Sequence, residues 1–288
     1  MSALFDLKAR TRVLELTPED MTATVESGIT LGALQRELAK HRQWLPIDPP
    51  HTETVSIHDL LANNLSGPRR FGYGTIREHL IGMKVVLADG RIIKSGGKVV
   101  KNVAGYDLAK LFIGARGTLG TITEAVFKLR PLPEVECFVG AQVERVADVT
   151  PMIRAVLDSE MTPVVLDLHR AASGKDISAV VGFAGTRAEV DWQFNVARTL
   201  GFTMPTALDY EAHFWNEAVP VNRLSVLPSQ LTAAITKLDN RPFVARAGNG
   251  VIYYRGEVIE RPQNLPTELM RRIKSAYDPE NIFSELSL

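Results

Sequence analysis

The capacity for chemistry in this sequence is concentrated in its glycines. The informative ones fall in four places: residues 67–74, Gly96-Gly97, Gly105, and Gly114-Ala115-Arg116-Gly117-Thr118-Leu119-Gly120. Lacking a Cβ, glycine admits positive φ and lets backbone amides approach a ligand closely. Successive amides in such turns can line a concave anion site, although each cluster alone also reads as an ordinary turn. Cations stand beside two of the clusters, Arg69-Arg70 and Lys98 with Lys101. They suit either a solvated surface or charge balance for a pyrophosphate. No cluster has the spacing G-x-G-x-x-G after a first strand or G-x-x-x-x-G-K-[ST]. That sets aside a Rossmann dinucleotide site and a P-loop.

Other chemistries find less support. The six histidines, at 41, 51, 58, 79, 169 and 213, include no His-x-His or His-x-x-x-His pair, so no metal-site spacing is present. Cys137 is the single cysteine among 288 residues, which forbids an intrachain disulfide and a Cys-ligated iron–sulfur cluster within the chain. It opens a strand and reads as core. His213 reads as a packing residue of an amphipathic helix. The 33 Lys+Arg against 33 Asp+Glu leave no basic excess for general nucleic-acid binding. The N-terminus has no secretory apolar region, and no uncharged apolar run reaches the ~18 residues of a membrane span. The expected compartment is the cytoplasm.

The elements that would position these groups divide at Arg130-Pro131-Leu132-Pro133, where two prolines stop a strand and disfavour a helix. In the first part, strands are expected at 13–16 and 22–26. A helix follows an N-cap at Thr30, with Leu31, Leu34 and Leu38 inward. A second helix runs from Ser56. A hairpin over 83–87 and 91–94 turns at Asp89-Gly90, helical turns occupy 107–112, and a strand spans 121–129. The second part reads as strands at 136–143, 164–168, 177–183, 223–227, 243–246 and 251–254. Its helices are expected at 149–157, 187–200, 210–218, 229–238 and 267–277. This is an α+β pattern: an antiparallel sheet with helices on one face.

The order of these segments resembles a known family. Asp48-Pro49-Pro50, residues 56–68 and Phe71-Gly72-Tyr73-Gly74-Thr75 are similar to flavoproteins of the vanillyl-alcohol-oxidase type, whose FAD-binding fold is called PCMH-type. The block Val100-Lys101-Asn102-Val103-Ala104-Gly105-Tyr106-Asp107, then Gly117-Thr118-Leu119-Gly120-Thr121-Ile122-Thr123-Glu124, narrows the likeness to FAD-binding subunits of glycolate oxidase, the E subunit. The ending Tyr277-Asp278-Pro279-Glu280-Asn281 is similar to that family's closing segment.

The resemblance implies a PCMH-type FAD-binding domain over 1–133 and an α+β cap domain with an antiparallel sheet over 134–288. It implies oxidation of a 2-hydroxy acid such as glycolate, with electrons leaving to a separate iron–sulfur subunit beside a catalytic flavoprotein subunit. The single cysteine agrees with an external cluster. Flavin contacts carried over from the family fall on Pro50, Ser56, Asn64, Ser66, Gly67, Tyr73, Gly74, Gly117, Thr118, Gly120 and Ile122. Glycine-rich amides would hold the diphosphate, and the flavin would carry the redox chemistry. Two departures are visible. The family's opening strand–helix–strand unit, with its glycine-rich diphosphate loop, has no counterpart after Met1. His58-Asp59 stand where the family has Gly-Gly. The implied alternative is a non-catalytic scaffold subunit of the same complex that has lost tight FAD binding. A flavin reductase of cell-wall synthesis on the same fold fits these motifs less well. For the substrate carboxylate and the base, Arg223, Arg246 and His213 are conceivable, and spacing selects none of them.

Overall fold

Local signals start and stop most of the elements. A computed structural model of the chain describes residues 6–97, 108–172, 174, 176–259 and 266–285. The family-like block at 98–107 lies outside them. In the first part, β1 (Val13–Thr17), β2 (Thr22–Glu26), β4 (Leu80–Val86), β5 (Ile92–Gly96) and β6 (Thr121–Lys128) form an antiparallel sheet in the order β1-β2-β6-β4-β5. Register places Ala23 opposite Phe127 and Val25 opposite Ala125, all fully buried. Two-residue strands β3 (Gln43–Trp44) and β7 (Arg130–Pro131) pair separately. α1 (Leu31–Ala39) begins at Thr30, whose hydroxyl accepts from the Ala33 amide, and buries Leu31, Leu34 and Leu38. α2 (Ile57–Ala62) begins at Ser56 in the same way. Short helices α4 (Ile76–His79) and α5 (Ala109–Phe112) complete this part. Each fully buried leucine or phenylalanine here contributes roughly 1.5–3 kcal/mol.

The second part is a seven-stranded antiparallel sheet in the order β11-β8-β10-β9-β13-β14-β12. Its strands are β8 (Val135–Val143), β9 (Val165–Arg170), β10 (Ile177–Gly185), β11 (Met204–Pro205), β12 (Val221–Ser225), β13 (Phe243–Arg246) and β14 (Val251–Arg255). One face carries Leu166, Leu168, Val181, Phe183, Phe243 and Ile252. It is covered by α6 (Val149–Leu157), α7 (Arg187–Thr199) and α9 (Leu231–Lys237). The opposite face is covered as well. α8 (Asp209–Asn216) lays Tyr210 and Phe214 against Val165, Val180 and Val244. The expectation of helices on one face is therefore corrected. Tyr210 and Phe214, four residues apart, form an apolar stripe that needs its own sheet surface.

Among the described residues, contacts group the chain into two units that meet at Leu132 and Pro133. The grouping differs from a single cut at the prolines in two respects. α3 (Arg70–Tyr73) belongs with the second unit, where the Gly72 amide bonds the Val164 carbonyl at 3.1 Å. The closing helix α10 (Thr267–Tyr277) belongs with the first, packing Ile273 and Tyr277 on its core.

Candidate functional site

The turn between α5 and β6 is the most unusual backbone of the first unit. Gly114 (φ 79°), Arg116 (φ 53°) and Gly117 (φ 72°) are all left-handed. The reason is local: the turn must fold back to seal the end of α2. The Gly114 amide donates to the Leu61 carbonyl at 3.0 Å and the Arg116 amide to the Ala62 carbonyl at 2.8 Å. Both are helix-terminal carbonyls, and the Leu61 carbonyl also accepts from the Asn64 amide at 3.1 Å. The Ala115 amide bonds the Phe112 carbonyl, and both the amide and the hydroxyl of Thr118 bond the Ala115 carbonyl at 3.0 and 2.7 Å.

This corrects the picture of a glycine-rich row of amides waiting for a diphosphate, because most donors of the turn serve protein carbonyls. What stays open lies at one point. A Cβ on Gly117 would meet nothing within 4 Å, and among the described residues its amide has no backbone partner. Asn64 adjoins this turn: its Cβ lies 3.5 Å from where a Gly114 Cβ would stand. It holds φ 48°, and its buried Oδ1 has no hydrogen-bond partner. A buried acceptor without a partner costs about 1–3 kcal/mol, so a donor supplied by a ligand would be stabilising here. A cavity of about 320 Å³ also borders the turn, lined by Leu111, Ile113, Arg116, Met270 and Ile273.

The remaining residues singled out by the sequence have other surroundings. Ser56 is the α2 N-cap, accepting from the Asp59 amide at 3.0 Å and donating to the Asp59 carboxylate at 2.7 Å. Pro50 is half-buried in a turn, and Ser66 is buried. Gly67 is glycine for packing, since a Cβ would fall 1.7 Å from the Asp48 carbonyl oxygen. Gly120 is glycine for the same reason, against Val85 at 2.7 Å. Gly74 holds φ 83° ahead of the Thr75–Glu78 capping box of α4. Tyr73 packs in the second unit beside Val164 and Tyr210. The carbonyl of Ile122 is already occupied: Ser27 Oγ donates to it at 2.6 Å, and His58 Nδ1 lies 3.1 Å away. His58 thus turns inward to β6, whereas Asp59 stays exposed. Arg69 is committed to a bidentate pair with Glu136 at 2.9 and 2.6 Å. Lys98 and Lys101 lie outside the described residues.

For FAD the fit is uneven. The Asn64–Gly117 corner offers an orphaned acceptor and open space, as a bound group requires. The Ile122 edge has no acceptor capacity left for one.

Sequence reasoning named Arg246 only as a conceivable cation and missed the charged cluster around it in the second unit. Arg246 is buried and forms ion pairs with Asp167 and with Glu211, the latter through two bonds at 2.7 and 2.8 Å. Tyr210 donates to the Asp167 carboxylate at 2.7 Å, and the Trp215 indole N–H donates to Glu211 at 3.0 Å. Complete burial, only partly offset by Arg246, raises Asp167 from 3.8 to about 7. His169 stacks on Tyr210 with ring centroids 4.3 Å apart, and burial lowers it to about 4. A cavity of about 250 Å³ adjoins His169, Tyr210, His213 and Glu217. His213 is exposed on this rim, not packed, because α8 turns Tyr210 and Phe214 inward. Arg223 is exposed on the edge strand β12. Cys137 is half-buried in β8, where burial raises its thiol. Among the described residues no group of three His, Cys, Asp or Glu could hold a metal ion. No helix there is long and apolar enough to cross a membrane.

Residues 2–96 match the family described as FAD binding domain. The chain is 36% identical over 160 residues to the glycolate oxidase subunit GlcD of Bacillus subtilis (strain 168), covering 56% of this chain and 34% of that one. It is 34% identical over 129 residues to the glycolate oxidase subunit GlcE of Escherichia coli (strain K12), covering 44% and 37%. It is 40% identical over 133 residues to a probable mitochondrial D-lactate dehydrogenase of Danio rerio, covering 45% and 26%. The chain thus spans about a third of the length of these curated relatives. Among solved structures, alkyldihydroxyacetonephosphate synthase superposes with a TM-score of 0.72 at 20% identity, covering 96% of this chain and 65% of that one. The fold is that of a PCMH-type FAD-binding domain accompanied by an antiparallel α+β unit.

Proposed function

We propose that this chain is an FAD-binding subunit of a complex that oxidises a 2-hydroxy acid such as glycolate. The observation that carries the reading is the FAD-binding-domain match over residues 2–96, which contains Asn64 with its unpartnered buried acceptor. When bound, the flavin accepts the two electrons removed from the hydroxyl-bearing carbon. The chain's own part is to bind and orient it, with the Asn64 Oδ1 accepting from the bound group and Gly117 admitting its close approach. Pro50, Ser66, Gly67, Gly74, Thr118 and Gly120 of the first unit complete the proposed lining. In this reading electrons leave through a separate iron–sulfur subunit, beside a catalytic flavoprotein subunit, an arrangement with which the chain's single cysteine is compatible. The complex is placed in the cytoplasm, peripheral to the inner membrane through its partners.

A second reading has its own observation. With Ser27 and His58 both on the Ile122 carbonyl, and Asp59 presenting a carboxylate beside the α2 N-terminus, the chain would serve as a scaffold of the same complex without holding FAD tightly.

Titration of the purified chain with FAD, followed by quenching of flavin fluorescence, separates the two. Saturable one-to-one binding that Asn64→Leu weakens supports the first. If neither the chain nor its reconstituted complex binds FAD beyond the stoichiometry of the partner flavoprotein, the first reading fails. Glycolate-dependent dye reduction should require the partners; robust activity of the chain alone would show that it is an independent enzyme.

A further inference from the structure

We infer that Lys274 is a positioning residue for the flavin site: its buried ammonium ties the closing helix α10 to the Gly117–Thr118 turn and holds that turn in its binding shape. The inference rests on the flavin-binding reading above. α10 reads in sequence as an ordinary amphipathic helix, and a lysine in its last turn would be expected to reach solvent. Instead Lys274 is only 7% exposed.

The ammonium finds partners for all three of its protons. It donates to the Thr118 carbonyl at 2.9 Å, to the Asp278 carboxylate, and to the Phe283 carbonyl at 3.4 Å. Asp278 is in turn fixed by the chain after α10. Its Oδ1 accepts from the Ile282 amide at 2.8 Å and its Oδ2 from the Phe283 amide at 2.9 Å. Two of the three lysine bonds therefore fold the C-terminal segment on itself. The third reaches from that knot to Thr118.

That third bond matters because of what Thr118 follows. Gly117 is left-handed, its missing Cβ faces open space, and it is the residue through which a ligand can approach. The amide and hydroxyl of Thr118 both point back to Ala115, which closes the turn on one side only. Its carbonyl, on a residue 4% exposed, is held from the other side by Lys274. Burying a charged lysine is costly unless every bond is made. A structural clamp alone could be built from apolar residues. A charged one fixes the direction of a single carbonyl, and with it the Thr118–Leu119 peptide plane, one residue beyond Gly117.

The test uses the full chain in four forms: wild type, Lys274→Met, Lys274→Arg, and Leu38→Ala as a control that loosens the same core from α1. All are compared at temperatures equally far below their melting midpoints. Amide hydrogen exchange is read at Arg116 and Thr118 without FAD, and FAD affinity is then measured by titration. Lys274→Met should speed exchange at those two amides and weaken FAD binding by about tenfold, the effect of losing one ordinary hydrogen bond. Leu38→Ala should do neither at matched stability. Lys274→Arg, which can donate to the same carbonyl, should recover part of both. Unchanged exchange at Arg116 and Thr118 in Lys274→Met overturns the inference, as does an equal effect in Leu38→Ala. Altered exchange in a protein whose wild type binds no FAD would instead remove the flavin reading and leave Lys274 as the residue that sets the turn.

Discussion

Replacing Asp167 by asparagine should change how stability depends on pH. Two carboxylates, Asp167 and Glu211, share the single buried guanidinium of Arg246. Burial therefore keeps a proton on Asp167 to about pH 7, against 3.8 for an ordinary aspartate. Between these values the folded protein holds a proton that the unfolded chain has lost. This contribution thus falls as pH rises, by roughly 1.4 kcal/mol per pH unit. His169 acts in the opposite sense. Its folded value of about 4 lies below the ordinary 6.5, so between those limits the unfolded chain binds the extra proton and stability rises with pH. The two slopes oppose one another from about pH 5 to 6.5, and the wild type should be nearly flat there. Asp167→Asn removes only the first term. Its stability relative to wild type should improve by about 2 kcal/mol from pH 5 to pH 7. Trp215, bonded to Glu211, provides a local fluorescence signal for urea unfolding at each pH. Parallel wild-type and Asp167→Asn profiles over this range would show that Asp167 is ionised throughout, and the reasoning would fail.

Other outcomes follow from single contacts. Gly67→Ala should abolish soluble folded protein, because its Cβ would lie 1.7 Å from the Asp48 carbonyl oxygen, whereas Gly117→Ala should fold with a loss of only about 1–2 kcal/mol from its left-handed backbone; thermal melts of both decide this. Thr186→Ala removes the capping box of α7, in which Thr186 and Glu189 bond reciprocally, and should cost about 1 kcal/mol in urea unfolding. For Asp278, burial raises the carboxyl but the bonds from Lys274, Ile282 and Phe283 outweigh it and leave it below 3.8. Its stabilisation is present above that ordinary value and is lost as pH falls through the lower folded one, so Asp278→Asn should flatten the acid limb of unfolding below about pH 4.

Elements with local signals were legible in the sequence. Thr30 and Ser56 cap α1 and α2 as read, and α6 and α10 span 149–157 and 267–277 as read. Apolar residues at helical spacing suffice for that, with a capping side chain marking the start of α1 and α2. β3, β7 and β11, with two residues each, and the four-residue α3 and α4 carry no periodicity to read. The glycines show a deeper limit. Gly67, Gly117 and Gly120 look alike in sequence. Structure shows that packing excludes a side chain at the first and last, while the middle one faces open space. Only a trace in the sequence pointed to the buried cluster: Asp167 between Leu166 and Leu168, and Arg246 ending an apolar strand. A charge in a buried strand implies a partner, but 79 residues separate these two, and no local rule pairs them.

The cluster also bears on how a 2-hydroxy acid would be recognised. Such a substrate brings a carboxylate that needs a cation, and the second unit's α8-covered face buries two: Arg255, which donates to the Phe214 carbonyl and pairs with Glu217 at 3.2 Å, and Arg246. Arg246 carries the larger set of charged partners. It is already matched by two carboxylates, and its guanidinium also lies 5.8 Å from the centre of the Tyr253 ring. A third carboxylate arriving there would have to displace Glu211, the more exposed partner, or find Asp167 protonated. The second route closes as pH rises past about 7, so binding at Arg246 would weaken toward alkaline pH. Arg223 and His213 are exposed, so neither offers the desolvated setting in which a single charge pair gains most. Arg246 is thus a cation locked by its own protein, and a substrate carboxylate would have to find its cation elsewhere.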